Sequence, residues 1–422
     1  MSSFVPHSLR RQAGRILLLL GTLGAVAPAS ADVSDPVGYV AYSIPGGSRR
    51  LVGVPLTQAS TRASTVSSLK EDRIVLPQPV QASYFGGAAT MMVQVRQGAN
   101  AGLTFTATGF EGNELIVDTP PRTYVFPGDT VTLFPNYNLN TLLGANNTFG
   151  LQTGASAEEA DTVSLWNAAT QISRTFYFQS GGGGWREAGQ EAAGNRGDVT
   201  INFPAAIMVN RRAATPLNLV VVGVVPMPLD QRYFRVLPGR NLISAPFSAA
   251  ATVADYGLYD EFYPRFSMFA GPSAPEADTL RLTSAGTANE SEVIYYRSGH
   301  GWELAGSGGD AAATPVELGQ AMDFQRFGPA GFIRANGVPN GEGPLRSIAS
   351  APVATVPIQG LQAGSGSLSI RWSGEAGAAY QIQRRTPGGE WQDIGGETVA
   401  AEGVTTTTCP ATGSGELRIV KK

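Results

Sequence analysis

One pattern in this chain constrains its fold more than any other. Glu159-Ala160-Asp161-Thr162-Val163 returns as Glu276-Ala277-Asp278-Thr279-Leu280, and Gly184-Trp185 returns as Gly301-Trp302, both at an offset of 117 residues. Two motifs that keep their internal spacing across that distance point to two copies of one folded unit, because unrelated coincidences would not preserve it. The repeat bears on architecture and says nothing about chemistry.

A second element sits ahead of each block. Pro127 to Pro135 aligns with Pro238 to Pro246 at an offset of 111, and a looser version, two residues longer, runs from Pro45 to Pro55. Each reads as a Pro-Gly turn, a short strand, and a proline that ends the strand because it has no N–H for a ladder. Helical segments are expected after them, at Thr65 to Leu69, Leu139 to Leu143 and Val253 to Tyr259. Elsewhere short alternating runs dominate, among them Val37 to Ile44, Met91 to Arg96, Leu103 to Thr108, Glu114 to Val117, Thr130 to Phe134, Thr162 to Trp166, Thr175 to Gln179, Ile207 to Arg211 and Leu217 to Val222. Period-two patterning with β-branched and aromatic residues between glycine and proline boundaries is the signature of strands. The expected fold class is all-β and multi-domain, a duplicated sandwich or barrel-like unit with short helices, followed by a small C-terminal β-sandwich.

The expected boundaries follow. Residues 1–31 read as an export signal, with Arg10, Arg11 and Arg15, an apolar stretch from Ile16 to Ala27, and cleavage after Ala31. That stretch is too short for the ~20 helical residues a bilayer crossing needs, so no membrane span is expected and the address is secreted, cell-surface or periplasmic. An N-terminal β region follows at 32–126, then repeat units at 127–226 and 227–339, a linker at 340–354 and a sandwich at 355–422.

Loss of the three signal arginines takes the formal charge from −3 to −6. A mildly acidic protein without a basic stripe is a poor partner for nucleic acid or an anionic membrane surface. Cys409 is the only cysteine, so no intrachain disulfide forms, and His300 is the only histidine left after cleavage. That rules out two-histidine metal sites and weighs against a catalytic triad. Nucleophile-elbow, His-Glu-x-x-His, Cys-x-x-Cys and phosphate-loop motifs are all missing from the sequence.

The candidate sites each carry a plainer alternative. Asp161 and Asp278, with Glu158, Glu159 and Glu276 before them, are candidate calcium ligands, calcium being the one cofactor the sequence leaves open. The competing reading is an acidic turn whose Asp accepts from backbone amides ahead of a strand. Trp185, Trp302 and Tyr295, with Tyr177 and Tyr296 nearby, are candidates for an aromatic platform under sugar rings, against packing across the sheet. His300 is a candidate acid or base with Ser298, Glu292 or Glu303, against an incidental turn residue. Arg196-Gly197-Asp198 reads as a turn, and Arg211-Arg212 as a solvated strand edge. A carboxylate pair for glycoside hydrolysis needs only convergence in space.

The run from Tyr84 to Asp118, the Pro127-Gly128 strand, the Glu159-Ala160-Asp161 block, the Gly-Gly-Trp hairpin and Arg211-Arg212-Ala213-Ala214-Thr215-Pro216-Leu217 resemble an uncharacterised family of secreted proteins from Verrucomicrobia and related bacteria, over roughly residues 35–339. The second copy departs from it at Arg326-Phe327-Gly328-Pro329. The tail, with Ile370-Arg371-Trp372, Tyr380-Gln381-Ile382-Gln383-Arg384 and Trp391, is similar to fibronectin type III-like modules of bacterial exoproteins. The first resemblance implies an address and an architecture, and no activity. The expected function is therefore a secreted or cell-surface structural or binding protein without catalysis. Its expected partner is an extracellular polysaccharide or a cell-envelope component, with a polysaccharide-active hydrolase or a non-catalytic carbohydrate-binding protein as the alternative. Nothing in the sequence sets the oligomeric state.

Overall fold

The computed structural model describes residues 36–225, 231–245, 251–283, 292–317, 319–336, 356, 358–364, 367–386, 390–411 and 414–422. The export signal and the linker expected at 340–354 lie outside them. The protein is all-β, with two short α-helices among the described residues, and no described helix is long and apolar enough to cross a membrane.

Two stretches share one strand-pairing plan. In the first, Val37–Ile44 and Leu217–Val224 form an antiparallel ribbon. Arg49–Gly53 pairs with Ala206–Asn210, and the sheet continues through Thr162–Asn167 and Ile172–Gln179 to Gly184–Glu187. In the second, Gln231–Val236 and Gly331–Asn336 form the ribbon. Gly239–Ser244 pairs with Ala321–Arg326, and the sheet runs through Thr279–Leu282 and Ile294–Arg297 to Gly301–Leu304. Each also holds one short helix with a reciprocal capping box, Leu139–Leu143 capped by Asn138 and Thr141, and Val253–Tyr256 capped by Thr252 and Asp255. The boxes satisfy N-terminal amides that so short a helix cannot satisfy itself.

Alternation places the cores. Val40, Tyr42 and Ile44 turn inward with Leu217, Leu219 and Val221, and join Phe176 and Trp185 in the first core. Phe234 and Val236 meet Ile333 and Ala335 in the second, with Trp302 and Phe324. Burying each Val, Leu, Ile or Phe among them contributes roughly 1.5–3 kcal/mol.

The boundary expected between 126 and 127 cuts through a sheet and is corrected. Residues 62–135 form a seven-stranded sheet in which Thr130–Pro135 pairs with both Arg62–Thr65 and Met91–Gln97. This sheet is inserted into the first plan between Gly53 and Tyr137. The counterpart of Gly239–Ser244 is Arg49–Gly53, the looser of the proline-bounded versions, and not the strand after Pro127-Gly128. Turn, strand and stop form a local grammar that three places in the chain share, and only pairing tells which two are equivalent. The helix expected at Thr65 to Leu69 gives way to the strands Arg62–Thr65 and Ser68–Leu69.

Each ribbon is buried on both faces over most of its length, which explains the unbroken apolar run Leu219–Val224. Behind the first ribbon, Val37, Tyr39, Val220 and Val224 share a core with Trp372, Tyr380, Leu417 and Ile419 of the C-terminal module. Val37–Tyr39 also pairs with Gly415–Leu417, so the module's sheet runs on into the ribbon. Behind the second ribbon, Tyr233 and Phe332 enter the core of the inserted sheet, Phe332 packing edge-on to Phe105 at 5.8 Å and to Tyr124 at 4.9 Å.

The two sheets meet through Leu51, Ala206 and Ala321. The buried Tyr42 hydroxyl reaches the carbonyl oxygens of Gly53 and Gly319 at 2.7 Å each. A Cβ on Gly53 would collide with the Gly319 carbonyl, so this approach requires glycine.

Candidate functional site

Asp161 and Asp278 occupy the same position in the two plans and are not cation ligands. Asp161 Oδ1 accepts from the amide of Arg212 at 2.7 Å, and Oδ2 accepts from the amide of Gln152 at 2.7 Å and from Arg211 Nη1. Asp278 Oδ1 accepts from Phe327 N at 2.7 Å, and Oδ2 from Phe269 N at 2.8 Å and from Arg326 Nη1. Each arginine also donates from Nε to a backbone carbonyl, of Thr215 or Pro329, at 2.9 Å. Both pairs are buried. A carboxylate whose oxygens already face a guanidinium and backbone amides has nothing left for calcium, and a neighbouring cation would repel a second one. The adjacent acids close their own turns, with Ala155 N on Glu159 and Ser273 Oγ on Glu276. No group of three or more His, Cys, Asp or Glu that would hold a metal exists among the described residues. Arg211, read from sequence as a solvated edge, is the partner that closes the first of these latches.

The aromatic platform is also corrected. Trp185 and Trp302 are 0% and 8% exposed, and Tyr295 is 7% exposed. Trp185 stands edge-on to Phe178 at 5.5 Å and donates to Gly144 O at 3.2 Å, while Trp302 stands edge-on to Tyr296 at 5.3 Å. The Tyr295 hydroxyl donates to Glu303 at 2.9 Å, and desolvation, helped by that carboxylate, raises its pKa. Rings used in cores have no face to offer a sugar. His300 is exposed in a turn, its amide bonded to Arg297 O. Arg196-Gly197-Asp198 is held by Asn195, Asn140 and Glu187.

A concave site lies where the inserted sheet, the first sheet and the second sheet meet. It is a cleft of about 480 Å3, within the range of ligand sites, roughly 300–1,000 Å3. The inserted sheet contributes Thr104, Thr106, Thr108 and Asp118, and the first sheet contributes Trp166, Arg174 and the segment 199–206. Arg235, Leu237 and residues 241–243 come from the second. Alternation along Thr104–Glu111 sets the three threonines on one face while Phe105 and Ala107 enter the core.

The charges in the cleft are closed on one another. Asp118 Oδ1 accepts from Thr106 N at 3.0 Å and Oδ2 from Arg235 Nη1 at 2.8 Å. Arg174 donates from Nε and Nη2 to the two oxygens of Glu187, at 2.7 Å each. This fork holds the Glu187 carboxyl below the usual carboxylate range and raises the Arg174 pKa. Trp166 is fixed by donating from Nε1 to Arg240 O at 2.7 Å, with the Arg240 guanidinium 5.4 Å from its ring.

Sequence reasoning missed this cleft because no contiguous motif encodes it. The local signal was the Thr-x-Thr-x-Thr alternation of Thr104, Thr106 and Thr108, a polar face in a strand whose other face is core. For the latches the signal was stronger, since Arg211 directly follows, and Arg326 ends, the strand that pairs with the strand beginning one residue after each Asp.

Comparisons with protein families, with curated proteins and with solved structures return no match for this chain.

Proposed function

We propose that this chain is an extracellular structural and binding protein without catalytic activity, exported by the leader at 1–31 and presenting the three-sheet cleft to a polysaccharide or a cell-envelope component. The observation that carries this reading is the acid content of the cleft. Among the described residues lining it the single carboxylate is Asp118, tied to Arg235 and to a backbone amide. Glycoside hydrolysis with two carboxylates about 5–10 Å apart needs a second acid there.

The architecture supports a scaffold. The shared pairing plan and the recurring latch are what a tandem duplication leaves behind, with the seven-stranded sheet inserted into the first copy. The C-terminal module supports the fibronectin type III-like reading. Its strands Ile358–Gly364, Ser367–Trp372 and Thr405–Pro410 form one sheet. In the other, Gln392–Val399, Ala379–Arg385 and Gly415–Lys421 are followed by Val37–Ile44, which takes the place of a seventh strand. The resemblance to secreted Verrucomicrobial proteins agrees with the export leader.

The test uses the mature protein, residues 32–422. Incubated with isolated envelopes and insoluble polysaccharides, it is expected to be retained without releasing reducing ends. Release of reducing ends that Asp118→Asn abolishes would replace this reading with the hydrolase. Recovery of the native protein in the cytoplasm with Met1 still attached would end the extracellular one.

A further inference from the structure

We infer that the cleft between the three sheets is the binding site for a neutral oligosaccharide, an assignment that rests on the binding reading above and gives it a ligand class. Charge is the first argument. Both oxygens of Asp118 are engaged, so a cationic ligand meets no free carboxylate. Arg235 faces Asp118 and Arg174 grips Glu187 with two parallel bonds, so an anionic ligand would have to break a charge-assisted pair to gain one. A ligand without charge displaces neither.

The remaining wall chemistry is hydroxyl, amide and aromatic. Thr106 and Thr108 present hydroxyls along one strand face, and the exposed Asn202 adds an amide whose oxygen already accepts from Thr90 Oγ1 at 2.7 Å. Trp166 lines the same cleft, its orientation fixed by its own hydrogen bond to Arg240. A fixed ring beside hydroxyl and amide groups matches the two surfaces of a sugar, apolar C–H faces and a polar rim. Preorganised side chains lose little entropy when a ligand arrives. Behind the lining, Gln94 opposes Thr104 in the sheet, fully buried and with neither amide atom hydrogen-bonded. A cleft of about 480 Å3 suits a short chain of sugar rings.

The experiment is calorimetric titration of the mature protein with cellohexaose, xylohexaose and maltohexaose, and with hexagalacturonate as an anionic comparator. At least one neutral hexaose is expected to bind saturably, and hexagalacturonate about tenfold more weakly or worse. Thr108→Trp and Ala169→Trp place bulk at exposed positions on two walls of the cleft. Each is expected to weaken binding about tenfold or more, with unchanged melting. The inference is overturned if no neutral hexaose binds, if hexagalacturonate binds as tightly, or if a folded plug variant keeps its affinity within about twofold of the parent. Envelope retention without hexaose binding would remove this assignment alone. Loss of both would remove the binding reading too.

Discussion

Asp161→Asn takes one negative charge from a site where every neighbour is a donor. The carboxyl is fully buried and Arg211 is 6% exposed. Asparagine keeps one acceptor oxygen, but its NH2 must face either the Arg212 amide or the pair formed by Gln152 N and Arg211, and each choice sets donor against donor. The variant loses charge-assisted hydrogen bonds of about 1.5–3 kcal/mol each. It also leaves a buried guanidinium without a counter-charge, for which a cost of about 3–5 kcal/mol is typical. These overlap, so the expected destabilisation is about 3–5 kcal/mol, a large share of the roughly 5–15 kcal/mol that holds a domain together.

Urea titration followed by tryptophan fluorescence measures this as a shifted midpoint at unchanged slope. Asp278→Asn is expected to cost the same within about 1 kcal/mol, because its hydrogen bonds are of the same kind. Replacing both partners of the first latch with apolar residues, Asp161→Leu with Arg211→Met, removes the uncompensated charge but leaves the amides of Gln152 and Arg212 without their acceptor, and is expected to recover only part of the loss. A cost below about 1 kcal/mol for Asp161→Asn would refute the latch as a source of stability.

Three further outcomes are expected. The Glu187 carboxyl, held low chiefly by its bond to Arg174, contributes stability that is present above the ordinary glutamate pKa and lost as pH falls through its lower folded value. Glu187→Gln should therefore flatten the acid limb of a stability profile taken below about pH 5, and an unchanged limb would dismiss the pair as a contributor. Cys409 is 5% exposed, and burial raises its thiol pKa. A thiol reagent at mildly alkaline pH should leave the native protein unlabelled and label it once urea unfolds it, whereas rapid native labelling would contradict the packing of the C-terminal module. Gly53→Ala should destabilise the protein by at least about 1 kcal/mol by forcing the Gly319 carbonyl away from the Tyr42 hydroxyl, with Tyr42→Phe costing about 1–3 kcal/mol for the same acceptors. Wild-type melting in both variants would argue against the close approach of the two sheets.

Strand positions were legible because side-chain alternation is a local property. Val37–Ile44 and Glu114–Val117 stand where their alternation puts them, and the others shift by one to three residues at their ends. The equal spacing of Asp161 and Asp278 was also legible, and the sequence supplied the competing reading of an aspartate that accepts backbone amides. The arginine that completes each latch was not, because it lies 50 residues on from Asp161 and 48 on from Asp278. Proximity at that separation is set by which strands pair.

By itself, then, the chain's pattern of residues determined an all-β protein, its strand sites and the recurrence of one Asp-to-Trp block, since turns, alternation and spacing act over a few bonds. Tertiary structure alone decided that Arg49–Gly53 and not Thr130–Pro135 is the counterpart of Gly239–Ser244. It decided that Trp185 and Trp302 are core, and that three sheets enclose a cleft. Those outcomes depend on which distant strands exchange hydrogen bonds and which faces lose water together, and neither is encoded in any short stretch of chain.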